Sequence, residues 1–507
     1  MNLPKNNLSS SSIIKLIKEK KSDFWSSEQK KKSLTLFHKA AKEVPAYKSF
    51  LKKNKVNPKE IKTWENLQKT QSINKKNYLR KYPLSNLTFQ GHLNQPLVFT
   101  ATSGSTGDPL YFHRSFDLDW QSSIVHELFY LYGQYKKNEP VLVIVCFGMG
   151  IWIGGLITYQ AFHLVQERGY NVSLVTPGIN KEEIFKLIKN LGKIYKNIIL
   201  CGYPPFIKDI IDEAPSHKIN WRRFNVRLLF AAEAFTESFR DYIAKKAYIK
   251  NSLLDTMNIY GTADLGTMAF ETPLAVLIRR LCAKNQKLFG LIFNNIQETP
   301  TLCQYIPSFI SFHTIGENIL INGYNSMPLI NYDLGDHGGV YSFKEIVYRF
   351  NKVGLDLEVE IKKAGISKFC YELPFVYVYE RKDLSTKLYG AVIYPEHIRE
   401  ALRQSSIESY LTGKFTLTTK YDMKNNEYME VNCELKKGQR PSLMLKKIIG
   451  NEIVKTLLEK NAEYSNNFKS IPNKVEPHIV LWPNESPIYF KPGTKQKWIS
   501  LVPQPHG

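Results

Sequence analysis

The run of small hydroxyl and glycine residues at 102–109 is the stretch of this chain best suited to chemistry. It reads Thr-Ser-Gly-Ser-Thr-Gly-Asp-Pro. Glycines leave backbone N–H groups unshielded, and Ser and Thr hydroxyls add donors that can wrap a polyphosphate. No lysine follows the second glycine, so this is not the Gly-x-x-x-x-Gly-Lys-Ser/Thr phosphate loop. The alternative is an ordinary Ser/Gly-rich surface loop. The residues predicted to bind an anion are Thr102, Ser103, Gly104, Ser105, Thr106 and Gly107.

A second candidate site follows the strand-like run 256–259 and reads Tyr260-Gly261-Thr262-Ala-Asp264. An aromatic side chain beside a glycine turn, followed by a hydroxyl and a carboxylate, can stack a base and hold a hard cation through oxygen. The alternative is an ordinary loop between a strand and a helix.

Two further turns carry carboxylates. Asp336 lies beside a glycine turn and is suited to ribose hydroxyls, although a solvated Asp-Gly turn has the same sequence. Glu233 and Ala234 follow the strand-like run 226–231, and Thr236 with Glu237 is typical of a helix N-terminus.

Short apolar runs that alternate with helical stretches must position these candidate site residues. The apolar runs lie at 141–146, 172–175, 198–201, 226–231 and 319–321. Strands separated by helices predict an α/β fold with mixed or parallel sheets and flanking helices, and ligands gather at the carboxyl ends of parallel strands. The first ninety residues have helical periodicity. Residues 384–507 predict a small α+β domain with strands at 415–419, 429–435 and 478–482 and a helix at 443–460.

Length and charge limit the class of protein. The 507 residues exceed what one hydrophobic core supports, so we expect at least two domains. The formal net charge is +23, but the lysines are scattered and no basic stripe interleaves with aromatics. We therefore expect a Lys-rich solvated surface and no nucleic-acid partner.

Cysteine spacing and hydropathy indicate a cytoplasmic protein without a membrane span. The six cysteines are widely spaced, which is typical of reduced thiols. Residues 140–166 carry no Asp, Glu, Lys or Arg, and the segment is long enough to span a bilayer. Its β-branched start, glycine-rich middle and polar Gln160 and His163 instead predict a strand, a loop and a helix.

Taken in order, these motifs resemble the adenylate-forming (acyl/aryl-CoA synthetase) superfamily, specifically its phenylacetate–CoA ligase-like branch. Glu380-Arg381-Lys-Asp383 with Lys387 and Gly390 resembles the branch's hinge motif, and 490–498 resembles its C-terminal lysine loop. The resemblance covers nearly the whole chain. The matched stretches are 43–48, 67–79, 102–109, 147–155, 202–205, 232–237, 260–264, 332–336, 380–398 and 490–498.

The resemblance implies that ATP and Mg²⁺ activate a carboxylic acid to an acyl-adenylate with release of pyrophosphate, and that coenzyme A then takes the acyl group. It implies an adenylation domain at 1–380 with a helical N-terminal segment at about 1–90. A mobile α+β lid would span 381–507 and turn at a hinge near Asp383. The acid is a small molecule that the sequence does not identify.

The resemblance also assigns roles to residues. The run 102–107 would hold phosphates with Glu233, Ala234, Gly261 and Thr262 nearby, Tyr260 would stack on adenine, and Asp336 with Arg381 would bind ribose. Asp264 would bind the metal, and Lys495 would be the catalytic lysine, with Lys497 as the alternative. Phe147, Met149, Trp152 and Tyr203 would line the acyl pocket.

Several positions depart from the family pattern. Asp108 replaces a frequent lysine, Asp264 a glutamate, Asn331 an arginine and Glu380 a glycine. These departures leave two alternatives open. One is adenylation with transfer to an amine, an alcohol or a carrier protein, and the other is a catalytically decayed nucleotide-binding relative.

Overall fold

The computed structural model describes residues 9–93, 97–101, 110–136, 139–294, 300–324, 326–381, 385–486 and 489–490, without the side chains of residues 380 and 381. The predicted phosphate-binding residues 102–107, the hinge residue Asp383 and both candidate lysines, Lys495 and Lys497, lie outside the described residues.

Helices and strands alternate along most of the chain. The helices are α1 Ser10–Glu19, α2 Ser22–Glu43, α3 Pro45–Lys53, α4 Trp64–Gln68, α5 Phe116–Tyr132, α6 Ile153–Glu167, α7 Lys181–Leu191, α8 Pro204–Glu213, α9 Glu237–Lys246, α10 Ser252–Asp255, α11 Pro273–Lys284, α12 Gln286–Phe293, α13 Phe343–Asn351, α14 Leu357–Lys363, α15 Pro395–Ala401, α16 Ser405–Glu408, α17 Leu443–Lys460, α18 Ala462–Ser470 and α19 Pro472–Val475. The strands are β1 Val98–Ala101, β2 Tyr111–Arg114, β3 Val141–Cys146, β4 Val172–Val175, β5 Asn197–Gly202, β6 Asn225–Ala231, β7 Thr256–Thr262, β8 Gly266–Phe270, β9 Thr301–Gln304, β10 Ile310–Ile315, β11 Asn318–Tyr324, β12 Pro328–Tyr341, β13 Phe375–Arg381, β14 Thr386–Leu388, β15 Ala391–Ile393, β16 Leu411–Tyr421, β17 Glu427–Leu435 and β18 His478–Trp482.

Within the described ranges, the largest sheet has 11 strands in the order β10-β11-β12-β13-β9-β8-β7-β6-β5-β3-β4. Strands β4, β3, β5, β6 and β7 run parallel, as the alternation of strands and helices predicts. Strands β3 and β5 are fully buried, because α/β crossovers cover both faces of a parallel sheet.

The other half of the sheet is antiparallel, so of the two predicted sheet types, mixed and parallel, the structure has the mixed one. From β8 onward the pairs are antiparallel. Strands β10, β11 and β12 follow one another through short turns, and a short turn can join only antiparallel neighbours. The fold is therefore α/β with one mixed sheet, flanked by helices and accompanied by smaller sheets.

The N-terminal helices pack on the antiparallel half. Gln29 of α2 donates to the carbonyl of Phe312 at 3.1 Å and accepts from the Tyr305 hydroxyl at 2.6 Å. Further along, Ile73 forms a parallel bridge with Tyr332. The segment before β1 is thereby fixed against β12.

Asn331 explains one departure from the family pattern. Its side chain is buried and donates to the carbonyl of Leu67 at 2.6 Å and to the Thr70 hydroxyl at 2.8 Å. Asn331 also has a left-handed backbone with φ of +46°, which Asn adopts more readily than a bulky residue. The residue therefore anchors the N-terminal segment to β12.

A buried ionic cluster supports the loops after β6 and β7. The guanidinium of Arg240 lies 2.9 Å from Glu237 and 2.8 Å from Glu271, and Arg279 lies 2.6 Å from Glu271. Glu271 also accepts the backbone N–H of Asn258 at 3.0 Å. Buried charges need such partners, so this cluster fixes the start of α9 relative to β7. The predicted helix start is confirmed, because Thr236 caps α9 by accepting the N–H of Phe239.

The residues from 385 onward form smaller sheets of their own. Strands β14 and β15 make a hairpin, and β16, β17 and β18 make a three-stranded sheet against α17. The predicted strand 478–482 and helix 443–460 have the expected bounds, whereas β16 and β17 are longer than predicted. We call residues 385–490 the C-terminal unit. The domain boundary at 380/381 remains a prediction.

The uncharged segment 140–166 divides as predicted into β3, a glycine-rich loop and α6. Across the described part of the chain, no helix combines the length and apolarity that a membrane crossing requires.

Candidate functional site

Asp264 lies in the turn between β7 and β8 and is 1% exposed. Its Oδ2 accepts a hydrogen bond from the Tyr332 hydroxyl at 2.8 Å. The Nζ of Lys75 lies 3.5 Å from the same oxygen and 6.0 Å from the centroid of the Phe112 ring. Strand β2, which carries Phe112, follows the predicted phosphate-binding run in the sequence, so a cation and a carboxylate meet beside the strand that comes after that run.

Lys75 is a residue that sequence reasoning missed. It begins a short π-helical turn, Lys75–Leu79, directly after the bridge between Ile73 and Tyr332. The neighbouring Lys76 is exposed, whereas Lys75 is partly buried. In the sequence the two lysines are adjacent, and no pattern around them indicates that Lys75 is the one that contacts Asp264.

Tyr260 and Asp336 are brought together as the motif order suggests. The Tyr260 hydroxyl donates to Oδ2 of Asp336 at 2.5 Å. Asp336 is buried, and its backbone pairs with that of Arg381 across β12 and β13. The side chain of Arg381 lies outside the described residues. The two predicted ribose-binding residues are therefore neighbours in the sheet.

The turn between Tyr260 and Asp264 is tight. A Cβ at Gly261 would lie 2.7 Å from the carbonyl oxygen of Gly266. Thr262 closes the turn, because its hydroxyl accepts the N–H of Leu265 at 3.3 Å. The requirement for glycine at position 261 therefore comes from the close approach of two backbone segments.

Glu233 lies in the loop after β6 and is buried, whereas Ala234 beside it is exposed. The Asn258 amide donates to the backbone carbonyl of Glu233 at 3.0 Å. Oε1 of Glu233 accepts the backbone N–H of Gly390 in the C-terminal unit. Burial raises the pKa of Glu233, and the Gly390 N–H and the Lys387 ammonium oppose that rise.

The four predicted pocket residues form one cluster. Phe147 and Tyr203 meet edge to face, with ring centroids 5.1 Å apart. A Cβ at Gly148 would lie 3.2 Å from Trp152 and 3.7 Å from the Tyr203 hydroxyl. Met149 packs on the other side of the same loop, against Gly155 and Gly178. The cluster follows the carboxyl ends of β3 and β5, where a ligand of a parallel sheet is expected.

The C-terminal unit covers this cluster. Gly390 lies between β14 and β15 with φ of +83°, and a Cβ there would clash with the Tyr203 ring. Lys387 of β14 donates to the carbonyl of Ala232. The β14–β15 turn is thus seated between Tyr203 and the loop after β6.

Charged and polar contacts surround this seat. Oδ2 of Asp209 on α8 accepts the Tyr389 hydroxyl at 3.1 Å, and its Oδ1 lies 2.9 Å from Lys474. Lys208 donates to the side chain of Asn426 at 2.7 Å. We refer to this state, with the turn seated, as the docked arrangement.

Comparisons with known proteins identify the fold. The chain is similar to 2-hydroxyisobutyryl-CoA ligase in its thioesterification state, with a TM-score of 0.64 and 14% identity over 99% of this chain and 95% of that one. Against the open conformation of that ligase, the TM-score is 0.53, and the identity is 12% over 99% of this chain and 97% of that one. Against its postadenylation state, the TM-score is 0.52, and the identity is 13% over 99% of this chain and 94% of that one.

No protein-family model and no curated protein matches the sequence. The structural likeness nevertheless shows that the fold is that of the adenylate-forming enzymes, as the sequence motifs indicated. The phenylacetate–CoA ligase-like branch remains a resemblance.

Proposed function

We propose that this protein activates a carboxylic acid with ATP, forms an acyl-adenylate and pyrophosphate, and transfers the acyl group to coenzyme A. The observation that carries the proposal is the convergence of two predicted sites at one edge of a mixed sheet. Tyr260 lies near the end of β7 and contacts Asp336 within β12, Asp264 with Lys75 lies at the turn after β7, and the aromatic cluster follows β3 and β5.

The nucleotide would lie along this edge. Tyr260 would contact adenine, Asp336 and Arg381 would bind ribose hydroxyls, and residues 102–107 would surround the departing pyrophosphate. Lys75 would add a positive charge beside that run. The family often has a lysine at position 108, but this chain has the negatively charged Asp108 there. Neutralising charge and fixing geometry are what the reaction requires, because a carboxylate must approach an anionic phosphate in line.

The residues present fit Mg²⁺. Asp264 offers one buried carboxylate, and Mg²⁺ usually binds through one or two carboxylates together with phosphate oxygens and waters. Within the described ranges, no group of three or more His, Cys, Asp or Glu side chains could hold a metal alone. A metal at Asp264 would therefore depend on the nucleotide, and it would neutralise phosphate charge there.

The docked arrangement supports the second half of the proposal. Over the same 99% of this chain, the TM-score is 0.64 against the thioesterification state and 0.53 against the open state of one ligase. In this arrangement Gly390 packs on Tyr203, beside the predicted acyl pocket. A rotation near Asp383 would exchange this arrangement for one in which Lys495 reaches the carboxylate and the α-phosphate.

Acid-dependent exchange of labelled pyrophosphate into ATP tests the first half-reaction. We expect exchange with at least one member of a panel of aryl, fatty, hydroxy and amino acids. Lys495→Ala should abolish it, and Lys497→Ala serves as the control for the neighbouring lysine. Absence of exchange with every acid, or exchange that survives Lys495→Ala, would contradict the proposal.

The release of AMP identifies the acceptor. If coenzyme A is the acceptor, adding it should speed AMP release and give an acyl thioester detectable by mass spectrometry. Adenylate formation without this acceleration would favour an amine, an alcohol or a carrier protein. ATP binding without exchange would indicate a decayed relative.

A further inference from the structure

The docked arrangement encloses carboxyl groups from both sides of the interface. Glu233 comes from the loop after β6, and Glu427 comes from the first position of β17. Both side chains are almost completely buried, at 6% and 3% exposed. Glu463 of α18 is partly buried nearby. Buried carboxylates that face one another repel strongly, so one of them must hold a proton or gain a cation.

Hydrogen bonds account for three of the four carboxyl oxygens of the pair. Glu233 Oε1 accepts the N–H of Gly390. Glu427 Oε2 accepts the N–H of Tyr389 at 2.8 Å, and its Oε1 accepts the hydroxyl of Tyr421 at 2.9 Å. Glu233 Oε2 is buried and receives no donor from the described residues. A proton on Glu427 would supply that donor.

The charges around the pair agree with this assignment. Burial and the neighbouring Glu233 raise the pKa of Glu427 well above its usual range. The nearby Lys387 holds Glu233 toward its charged form, although burial raises the pKa of that group too. A proton on Glu427, donated to Glu233 in a carboxyl–carboxylate hydrogen bond, is the arrangement that fits these charges.

We propose that docking of the C-terminal unit takes up one proton, which Glu427 and Glu233 share across the interface. The inference rests on the proposed function only for the existence of an undocked arrangement. In that arrangement each carboxyl group would return to water and be fully ionised at neutral pH.

The direction of the pH dependence follows from linkage. A carboxyl group whose pKa is raised in the docked arrangement makes its full favourable contribution to docking when the pH is below its ordinary pKa. This contribution is lost as the pH rises from the ordinary pKa to the raised pKa. One proton changes the docking equilibrium about tenfold per pH unit within that interval. Docking should therefore weaken as the solution becomes alkaline.

The other titratable groups at the interface do not reverse this direction. Burial raises the pKa of Glu463 to about 8, so Glu463 acts in the same sense. Burial also raises the pKa of Asp209, and its partner Lys474 opposes that rise. The hydroxyls facing the pair are those of Tyr203, Tyr389 and Tyr421, and burial raises the pKa of each well above its ordinary value, so they stay neutral.

Amide hydrogen exchange of the β14–β15 hairpin tests the proposal without any substrate. The amides of Tyr389 and Gly390 donate directly to the two carboxyl groups, so their protection reports docking. We expect amide exchange of the 386–393 peptide in the full-length protein to accelerate as the pH rises, by up to about tenfold per pH unit. This acceleration is measured after correction for the pH dependence of the exchange rate of an unprotected amide.

Isosteric variants separate the shared proton from other causes. Glu427→Gln and Glu233→Gln each supply a permanent N–H donor to the partner carboxylate, so each should make the pH dependence of docking shallower by the part that this pair contributes, leaving the part that comes from Glu463. Glu430→Gln is the matched control. Glu430 lies on the same strand but pairs with Lys420 at 2.6 Å, so this variant should keep the wild-type dependence.

Two results would overturn the inference. One is a wild-type peptide whose protection does not change with pH, and the other is a pH dependence that neither Gln variant makes shallower. Neither result depends on catalysis. Failure of pyrophosphate exchange would overturn the proposed function instead and would leave the hydrogen-exchange result standing.

Discussion

Lys75 changes the charge balance at the predicted phosphate-binding site. Asp108 and Asp264 both add negative charge where a polyphosphate is expected, which alone would indicate an impaired site. The structure pairs Asp264 with Lys75, and the aromatic ring of Phe112 lies alongside. The site therefore retains a cation, supplied by a different segment of the chain.

Lys75→Ala should slow pyrophosphate exchange or raise the KM for ATP by about ten- to a hundredfold, the usual effect of losing one charge-assisted contact. Lys76→Ala is the matched control, because Lys76 is the adjacent lysine and is exposed. Steady-state exchange kinetics at several ATP concentrations would measure both variants. Equal effects of the two substitutions would contradict a specific role for Lys75.

The sequence predicts the types of residue at the site better than it predicts their partners. Tyr260, Asp264 and Asp336 are recognisable because each stands close to a glycine and to a strand-like run of the sequence. The contacts of Asp264 with Lys75 and of Glu233 with Glu427 join segments far apart in the chain. No local pattern predicts such pairs, because they form only when the sheet and the C-terminal unit come together.

The β14–β15 hairpin is the element that joins the two parts of the molecule. Its turn is held by the N–H of Gly390 on Glu233 and by Lys387 on the carbonyl of Ala232. The left-handed backbone of Gly390 lets the turn approach the Tyr203 ring directly. This close approach gives the hairpin little tolerance for any side chain at position 390.

Gly390→Ala should impair transfer of the acyl group while leaving pyrophosphate exchange nearly unchanged. The new methyl group would clash with Tyr203, and a non-glycine residue at positive φ costs about 1–2 kcal/mol in addition. Gly413→Ala is the control, because Gly413 has the same φ of +83° with no neighbour within 4 Å. Single-turnover transfer assays would compare the two variants.

Loss of both half-reactions in Gly390→Ala, or an equal loss in Gly413→Ala, would contradict the role of the hairpin. The first result would indicate general misfolding, and the second would assign the whole effect to backbone strain.

Element types were predictable where periodicity was strong. Strands β3, β4 and β18 and helix α17 have the bounds that the sequence predicts. The direction of pairing was not predictable in the second half of the sheet. A strand's own residues do not reveal its neighbour, and β9 pairs with β13 although α13 and α14 lie between them in the chain.

Three buried histidines should cost the whole molecule stability in mild acid. Burial lowers the pKa of His113, His126 and His313 to about 4, so each is neutral in the folded state. A histidine with a depressed pKa costs stability as the pH falls from its ordinary value near 6.5 toward 4. Each of these histidines should lower the free energy of unfolding by up to about 1.4 kcal/mol for each pH unit in that interval.

Thermal melts between pH 7 and pH 5 would measure this loss, with His126→Asn as the diagnostic variant. His126 donates through Nδ1 to the carbonyl of Ser122 at 2.8 Å, and the amide of Asn can replace that donor without titrating. The variant should show a shallower decline than the wild type. The raised carboxyl groups of the interface act in the opposite direction, so the difference between variant and wild type is the informative quantity. An unchanged slope would exclude His126 as a contributor.

The position of β13 determines when the protein can fold during its synthesis. Among the residues that the structure describes, β13 comes last along the chain of the 11 strands in this sheet. In the sheet itself, it lies between β12 and β9. Just before it, Glu372 accepts the N–H of Ser22, so the start of α2 also depends on this late segment. A nascent chain emerging from the ribosome exposes two unpaired strand edges until residue 381 is free. Truncated translation products that end before β13 should therefore aggregate or occupy chaperones.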